Sequence, residues 1–153
     1  MGTGNRQVHS PAIIYLVDDE ESIRGYVAKI LESEAYEIYS ADSGHAALVG
    51  IQALYEAGRT VDVILLDIAM PVIDGFEVLV ELRARYQSDP PQVIMLSGKT
   101  ATSEKVFAFN AGAADYIQKP FHPTELLARI ANQVALRQAR QQLIRSEQMT
   151  TAI

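Results

Sequence analysis

Val61-Asp62-Val63-Ile64-Leu65-Leu66-Asp67-Ile68-Ala69-Met70-Pro71 is an apolar run that ends in a carboxylate and then in a proline turn. A second run, Ala12-Ile13-Ile14-Tyr15-Leu16-Val17, ends in acid as well, at Asp18-Asp19-Glu20-Glu21. Continuous apolar runs of this length read as strands buried on both faces, the pattern of a parallel sheet covered by helices. Each delivers carboxylates to its C-terminal end, the edge of an open α/β sheet where ligands bind. If the two strands are neighbours, Asp18, Asp19 and Asp67 share one small space. Like charges that close are costly unless a cation joins them, so the pattern asks for a metal.

Working outward from these runs, strand and helix periods alternate. Ile23, Val27, Ile30 and Leu31 have helical spacing over residues 20–33, with Asp19 a candidate cap. Residues 36–40 read as a short strand, and Ser43 caps a helix carrying Ala47, Leu48, Ile51, Leu54 and Tyr55, which Gly58 ends. Asp74 and Glu77 form a capping box for a helix through Arg85. Pro90-Pro91 precedes a strand at Val93–Leu96, Thr102 opens a short helix that stops near Gly112, and Ala114–Gln118 is a fifth strand. A last helix starts at Pro123 or Thr124 and runs to about Ser146. This (βα)5 order predicts an α/β fold with a five-stranded parallel sheet, helices on both faces and right-handed crossovers.

Composition narrows the function. A chain of 153 residues, 48% hydrophobic, is long enough for one domain with a real core. A net charge of −6 argues against general nucleic-acid affinity, and four Arg against two Glu over residues 122–153 do not make a nucleic-acid site. The absence of cysteine excludes disulfides, thiolate metal sites and cysteine nucleophiles, and suits a reducing, cytoplasmic setting. No apolar stretch approaches the ~20 residues of a membrane span, and Met1–Arg6 lacks the apolar core of a signal peptide. The glycines Gly2 and Gly4 precede any strand, so no dinucleotide fingerprint exists.

Singly, the candidate site residues have ordinary explanations. Asp19, Ser97 and Asp74 are acceptable caps or turn residues, Lys119 an ordinary loop lysine and Tyr116 an edge-of-sheet aromatic. Asp67, between Leu66 and Ile68, caps no evident helix. Jointly they point elsewhere. Leu16-Val17-Asp18-Asp19-Glu20, the stretch Leu66–Phe76, Met95-Leu96-Ser97, and Gly112–Phe121 with its Lys119-Pro120 stand in order, each at a strand end. Together they resemble the receiver domain of bacterial two-component response regulators over about residues 12–135.

That resemblance implies a doubly wound, flavodoxin-like sheet with an extended C-terminal helix. It also implies roles. Asp67 is then the phosphoacceptor, attacking the phosphorus of a phosphohistidine on a histidine kinase or phosphotransfer partner. Asp18, Asp19, Asp67 and the backbone carbonyl of Ala69 are the Mg²⁺ ligands, an all-oxygen set that suits this ion. Lys119, before a commonly cis proline, pairs with phosphoryl oxygens, and Ser97 bonds the phosphoryl group once it is present. Tyr116 is the switch aromatic that moves inward when Ser97 shifts. Slow self-catalysed loss of the phosphate is implied too, so the domain acts as a signalling phosphoacceptor and not as a turnover enzyme. Two departures stand out: Gly98 where the family more often has Ala, and the pair Ala69 and Lys99, which borders the path of attacking water.

Other classes were weighed on the same residues. A phosphate-independent binding module would keep the fold without the chemistry. A haloacid-dehalogenase-type phosphatase would need a second Asp where Ala69 stands, and a flavodoxin-like cofactor binder a phosphate loop where Asp18-Asp19-Glu20 stands. The organisation expected is a flexible arm over residues 1–10, a receiver domain over 11–135, and a helical extension over 136–153. Leu126, Leu127, Ile130, Ala131 and Val134 form a stripe for the sheet, after which Leu136, Ala139, Leu143 and Ser146 shift phase. That heptad-like seam is read equally as a helix leaving the domain near residue 135, as a linker, a start of a coiled coil or a dimer contact, and as a frayed, solvated helix end rich in Gln and Arg. Homodimers through the last helix, or through the face of the fourth helix, fifth strand and last helix, and a downstream output domain are the further partners expected.

Overall fold

The structure, a computed structural model, describes residues 10–99 and 101–151. The arm expected over residues 1–10 lies outside them apart from Ser10. In chain order the elements are β1 (Ile13–Val17), α1 (Glu21–Leu31), β2 (Glu37–Ala41), α2 (Gly44–Glu56), β3 (Val63–Asp67), α3 (Gly75–Arg85), β4 (Gln92–Ser97), α4 (Thr102–Asn110), β5 (Asp115–Gln118) and α5 (Pro123–Thr151). The strands make one parallel sheet in the order β2-β1-β3-β4-β5. This is the doubly wound arrangement that the alternating pattern predicts.

β1 and β3 are buried along their whole length, all five residues in each. Alternate side chains feed two cores. Ile13, Tyr15, Val17, Ile64 and Leu66 pack with α2 and α3 through Leu48, Ile51, Val78 and Leu82. Ile14, Leu16, Val63 and Leu65 pack on the other face with Val27 and Leu31 of α1 and Leu126, Ile130 and Val134 of α5. Each fully buried Leu or Ile contributes ~1.5–3 kcal/mol relative to exposure, which is what makes the register costly to slip.

Helix ends follow the sequence except at the start of α1 and at the end of α5, which runs to Thr151 and not to about Ser146. Ser43 caps α2, and Asp74 with Glu77 completes the capping box of α3. Gly58 takes φ 78 after α2, and the Arg59 N–H returns to the Leu54 carbonyl, closing the helix end. Asp19 does not cap α1. The cap position falls on Glu20, whose N–H is held instead by the Asp18 carboxylate at 2.9 Å.

The last helix also differs from expectation. It does not part from the domain at residue 135. Arg137 is fully buried and donates to Asp62 at 2.8 Å and to Asp89 at 2.9 Å. Arg140 follows one turn later, donating to Asp89, to the Pro90 carbonyl and to Gln92. The phase change past Val134 therefore brings guanidinium groups, not leucines, against the N-terminal edge of the sheet. Leu136 and Leu143 face outward, 51% and 61% exposed.

Candidate functional site

Register places the site. Val17 pairs with Leu66, so Asp18 and Asp67 emerge side by side from β1 and β3. Asp67 pairs with Leu96, and Ser97 with Gln118, so Ser97 and Lys119 follow one step on. The resulting pocket lies at the C-terminal edge of the central strands. Oxygens of Asp18, Asp19 and Asp67 lie within 4.8 Å of one another. Asp18 and Asp67 are buried, whereas Asp19 is exposed and forms the outer wall.

Lys119 enters this cluster from the loop after β5. Its ammonium lies 2.8 Å from Asp18 and 3.2 Å from Asp67. The Lys119–Pro120 peptide is cis, as the resemblance implies, and the Lys119 N–H donates to the Ser97 carbonyl at 2.7 Å. Burial would lower the Lys119 pKa, but the bond to Asp18 and the charges of both acids outweigh it, and the ammonium is held above its ordinary 10.5. Asp67 is raised as well, which for a carboxyl disfavours the charged form. Burial, then the charge of Asp18, push it up to about 6, although Lys119 and the Ala69 N–H pull it down. Asp67 thus sits where its charge is costly in the absence of further positive charge.

Gly75, which starts α3, fits closely behind the acceptor. A Cβ there would stand 2.4 Å from the Asp67 carbonyl oxygen and 2.8 Å from the Ile68 Cα. Only glycine allows α3 to approach β3 this closely, as a turn glycine beside Asp74 suggests. The loop between them carries Val72 at φ 70, fully exposed, a conformation a β-branched side chain adopts only under constraint.

Ser97 and Tyr116 are both buried. Glu104, in the first turn of α4, joins them: its Oε1 accepts from the Ser97 hydroxyl at 2.5 Å and from the Tyr116 phenol at 2.6 Å. The phenol also lies 3.1 Å from the Lys99 carbonyl, and the Lys99 N–H donates to the Ser97 oxygen at 3.0 Å. Burial, then the bond to Glu104, raise the Tyr116 pKa above its ordinary 10.0. Glu104 escapes sequence reasoning because an acid in a helix's first turn is already explained by the helix dipole. The side chain of Lys99 and residue Ala69 are exposed at the mouth of the pocket.

A family model for the response regulator receiver domain matches residues 14–131. The chain belongs to that family. As a receiver domain it is a member of a signalling family and not a classical enzyme. Its fold is shared with solved receiver structures. The chemotaxis protein CheY4 of Vibrio cholerae is 33% identical, with 80% of this chain and 98% of that one covered and a TM-score of 0.71. A CheY-like receiver domain protein from Methanospirillum hungatei is 30% identical over 86% of this chain and 99% of its own, with a TM-score of 0.76. A receiver domain protein from Clostridium thermocellum is 27% identical over 87% and 98%, with a TM-score of 0.72.

The acidic pocket fits the divalent ion that receiver domains generally take there. Three carboxylates and one ammonium leave two negative charges when all are ionised. The donors are hard oxygens, suited to Mg²⁺ and not to thiophilic metals. Among the described residues no helix is long and apolar enough to cross a membrane.

Proposed function

We propose that the chain is the phosphoacceptor of a two-component phosphorelay, with Asp67 the residue modified. A carboxylate oxygen of Asp67 attacks the phosphorus of a phosphohistidine on a histidine kinase or phosphotransfer protein. The new P–O bond forms as the P–N bond breaks, and the imidazole leaves with a proton. The single observation that supports this most is the charge balance of the pocket: a buried, costly Asp67 beside two more acids and one lysine. Asp18, Asp19, Asp67 and the Ala69 carbonyl would hold Mg²⁺, which supplies positive charge for the phosphoryl oxygens. Lys119 pairs with those oxygens from the opposite side, and Ser97 donates to one of them.

Incubation with acetyl phosphate and Mg²⁺, followed by intact-mass measurement, tests this reading. The parent chain gains one phosphoryl group and Asp67→Asn gains none. No gain by the parent would favour a phosphate-independent binding module. The absence of cysteine and the kinase-type partner fit a cytoplasmic protein. Leu136 and Leu143, exposed on the outer side of α5, suit a second copy of the chain. Light scattering then gives a dimer for the full chain and a monomer for Leu136→Glu/Leu143→Glu. Monomer masses for both would remove the dimer, and dimer masses for both would move it off these leucines.

A further inference from the structure

Ser97 carries one hydroxyl proton, and in this structure that proton goes to Glu104. The contact is short, 2.5 Å, as hydroxyl bonds to an ionised carboxylate are. The lone pairs of the same oxygen take the Lys99 N–H. A phosphoryl oxygen on Asp67 can receive the Ser97 proton only if Glu104 loses it. Glu104 is therefore a competitor for the group that the phosphorylated state needs.

The same carboxylate oxygen holds the Tyr116 phenol. Lys105, the next residue of α4, places its ammonium 5.6 Å from the centre of the Tyr116 ring, within reach of its π-face. Tyr116 is only 6% exposed. Two consecutive side chains of α4 thus fix the aromatic inward, and one of them also restrains the hydroxyl. Release of Ser97 would loosen Glu104 and, through it, the first turn of α4, which lacks a side-chain cap at Ala101.

We propose that Glu104 is a positioning residue of the switch: it competes with a phosphoryl group on Asp67 for the Ser97 hydroxyl and holds Tyr116 inward through the same carboxylate oxygen. The inference rests on the phosphoacceptor reading of Asp67. It differs from the roles implied for Ser97 and Tyr116, because it couples both to a carboxylate outside the acidic pocket.

Beryllofluoride, a tetrahedral phosphoryl mimic, provides the test. Its dissociation constant is measured by calorimetry with saturating Mg²⁺ on the full chain, Glu104→Ala, Glu104→Gln, Ser97→Ala and the Ser97→Ala/Glu104→Ala double variant. Glu104→Ala should bind roughly tenfold tighter, the scale of one hydrogen bond to a charged group. Glu104→Gln, a neutral and weaker acceptor, falls between it and the parent. With Ser97 already replaced, removing Glu104 should change affinity by less than about twofold, because the coupling runs through that hydroxyl. Fluorotyrosine NMR of the unliganded chains should show Tyr116 more solvent-exposed in Glu104→Ala. An unchanged or weaker affinity in both Glu104 variants, or an equal gain in the Ser97→Ala background, overturns the proposal. Failure of the parent to bind beryllofluoride at all ends the phosphoacceptor reading and this inference with it. Binding that ignores residue 104 ends this inference alone.

Discussion

The two ends of the sheet each carry a cluster of acids and bases, and the clusters are built on opposite terms. At the N-terminal edge, Asp62 and Asp89 meet Arg137 and Arg140, two negative charges against two positive. At the C-terminal edge, Asp18, Asp19 and Asp67 meet the Lys119 ammonium, with Arg24 donating to the Asp18 carbonyl at 2.8 Å, three acids against two cations. The first cluster is balanced in charge, although the Nε groups of Arg137 and Arg140 are buried without a partner, and Asp62 also accepts the Ile13 N–H at 2.8 Å, joining the start of β1 to the middle of α5. The second is short of positive charge, and its central acid is pushed up to about 6. A charge cluster that neutralises itself serves architecture. One that leaves charge over can take a cation, and a lysine on a flexible stem can withdraw from it in a way a forked guanidinium cannot.

The largest effect expected from breaking this contrast is at the balanced end. Arg137→Ala removes a fully buried partner and leaves Asp62 and Asp89 without it, although Asp89 keeps Arg140 and some solvent. Loss of one side of a buried pair destabilises strongly, here by about 3 kcal/mol. A urea titration should show the drop as a lower midpoint, while the folded fraction keeps its capacity for phosphoryl uptake. A midpoint unchanged from the parent would mean that α5 is not anchored by this clamp.

The two ends were unequally legible in the sequence. Asp18, Asp67, Ser97 and Lys119 each stand at the end of an apolar run, so strand reading alone carries them to one edge of a parallel sheet. Their partners are neighbours in the pattern. Arg137 has no such marker. Its acids lie 75 and 48 positions away, and among Leu136, Ala139 and Leu143 it reads as the solvated side of a seam. Leu136 and Leu143 face outward, and their spacing is silent about what holds the other side of α5 down. Glu104 was hidden for a related reason, because its bonds to Ser97 and Tyr116 bridge three elements and leave no periodic trace.

At the unbalanced end the sign reverses, and removal of charge should stabilise. The Asp67 carboxyl, raised from its ordinary 3.8 to about 6, holds its proton more tightly folded than unfolded. Its penalty is absent below about pH 3.8, grows between 3.8 and 6, and is full above 6. The gap between those values is worth at most about 3 kcal/mol. Asn at position 67 still has a buried amide to satisfy and leaves Lys119 with Asp18 alone, so a gain of about 1–2 kcal/mol is expected. Without Mg²⁺, Asp67→Asn should therefore melt above the parent at pH 7, with the difference closing as pH falls toward 4. Mg²⁺ should then stabilise the parent by about 1.4 kcal/mol at ten times its dissociation constant, narrowing or closing the gap. A parent that outlasts Asp67→Asn at pH 7 without Mg²⁺ would show that Lys119 already balances the acids, and the contrast between the two ends of the sheet would disappear.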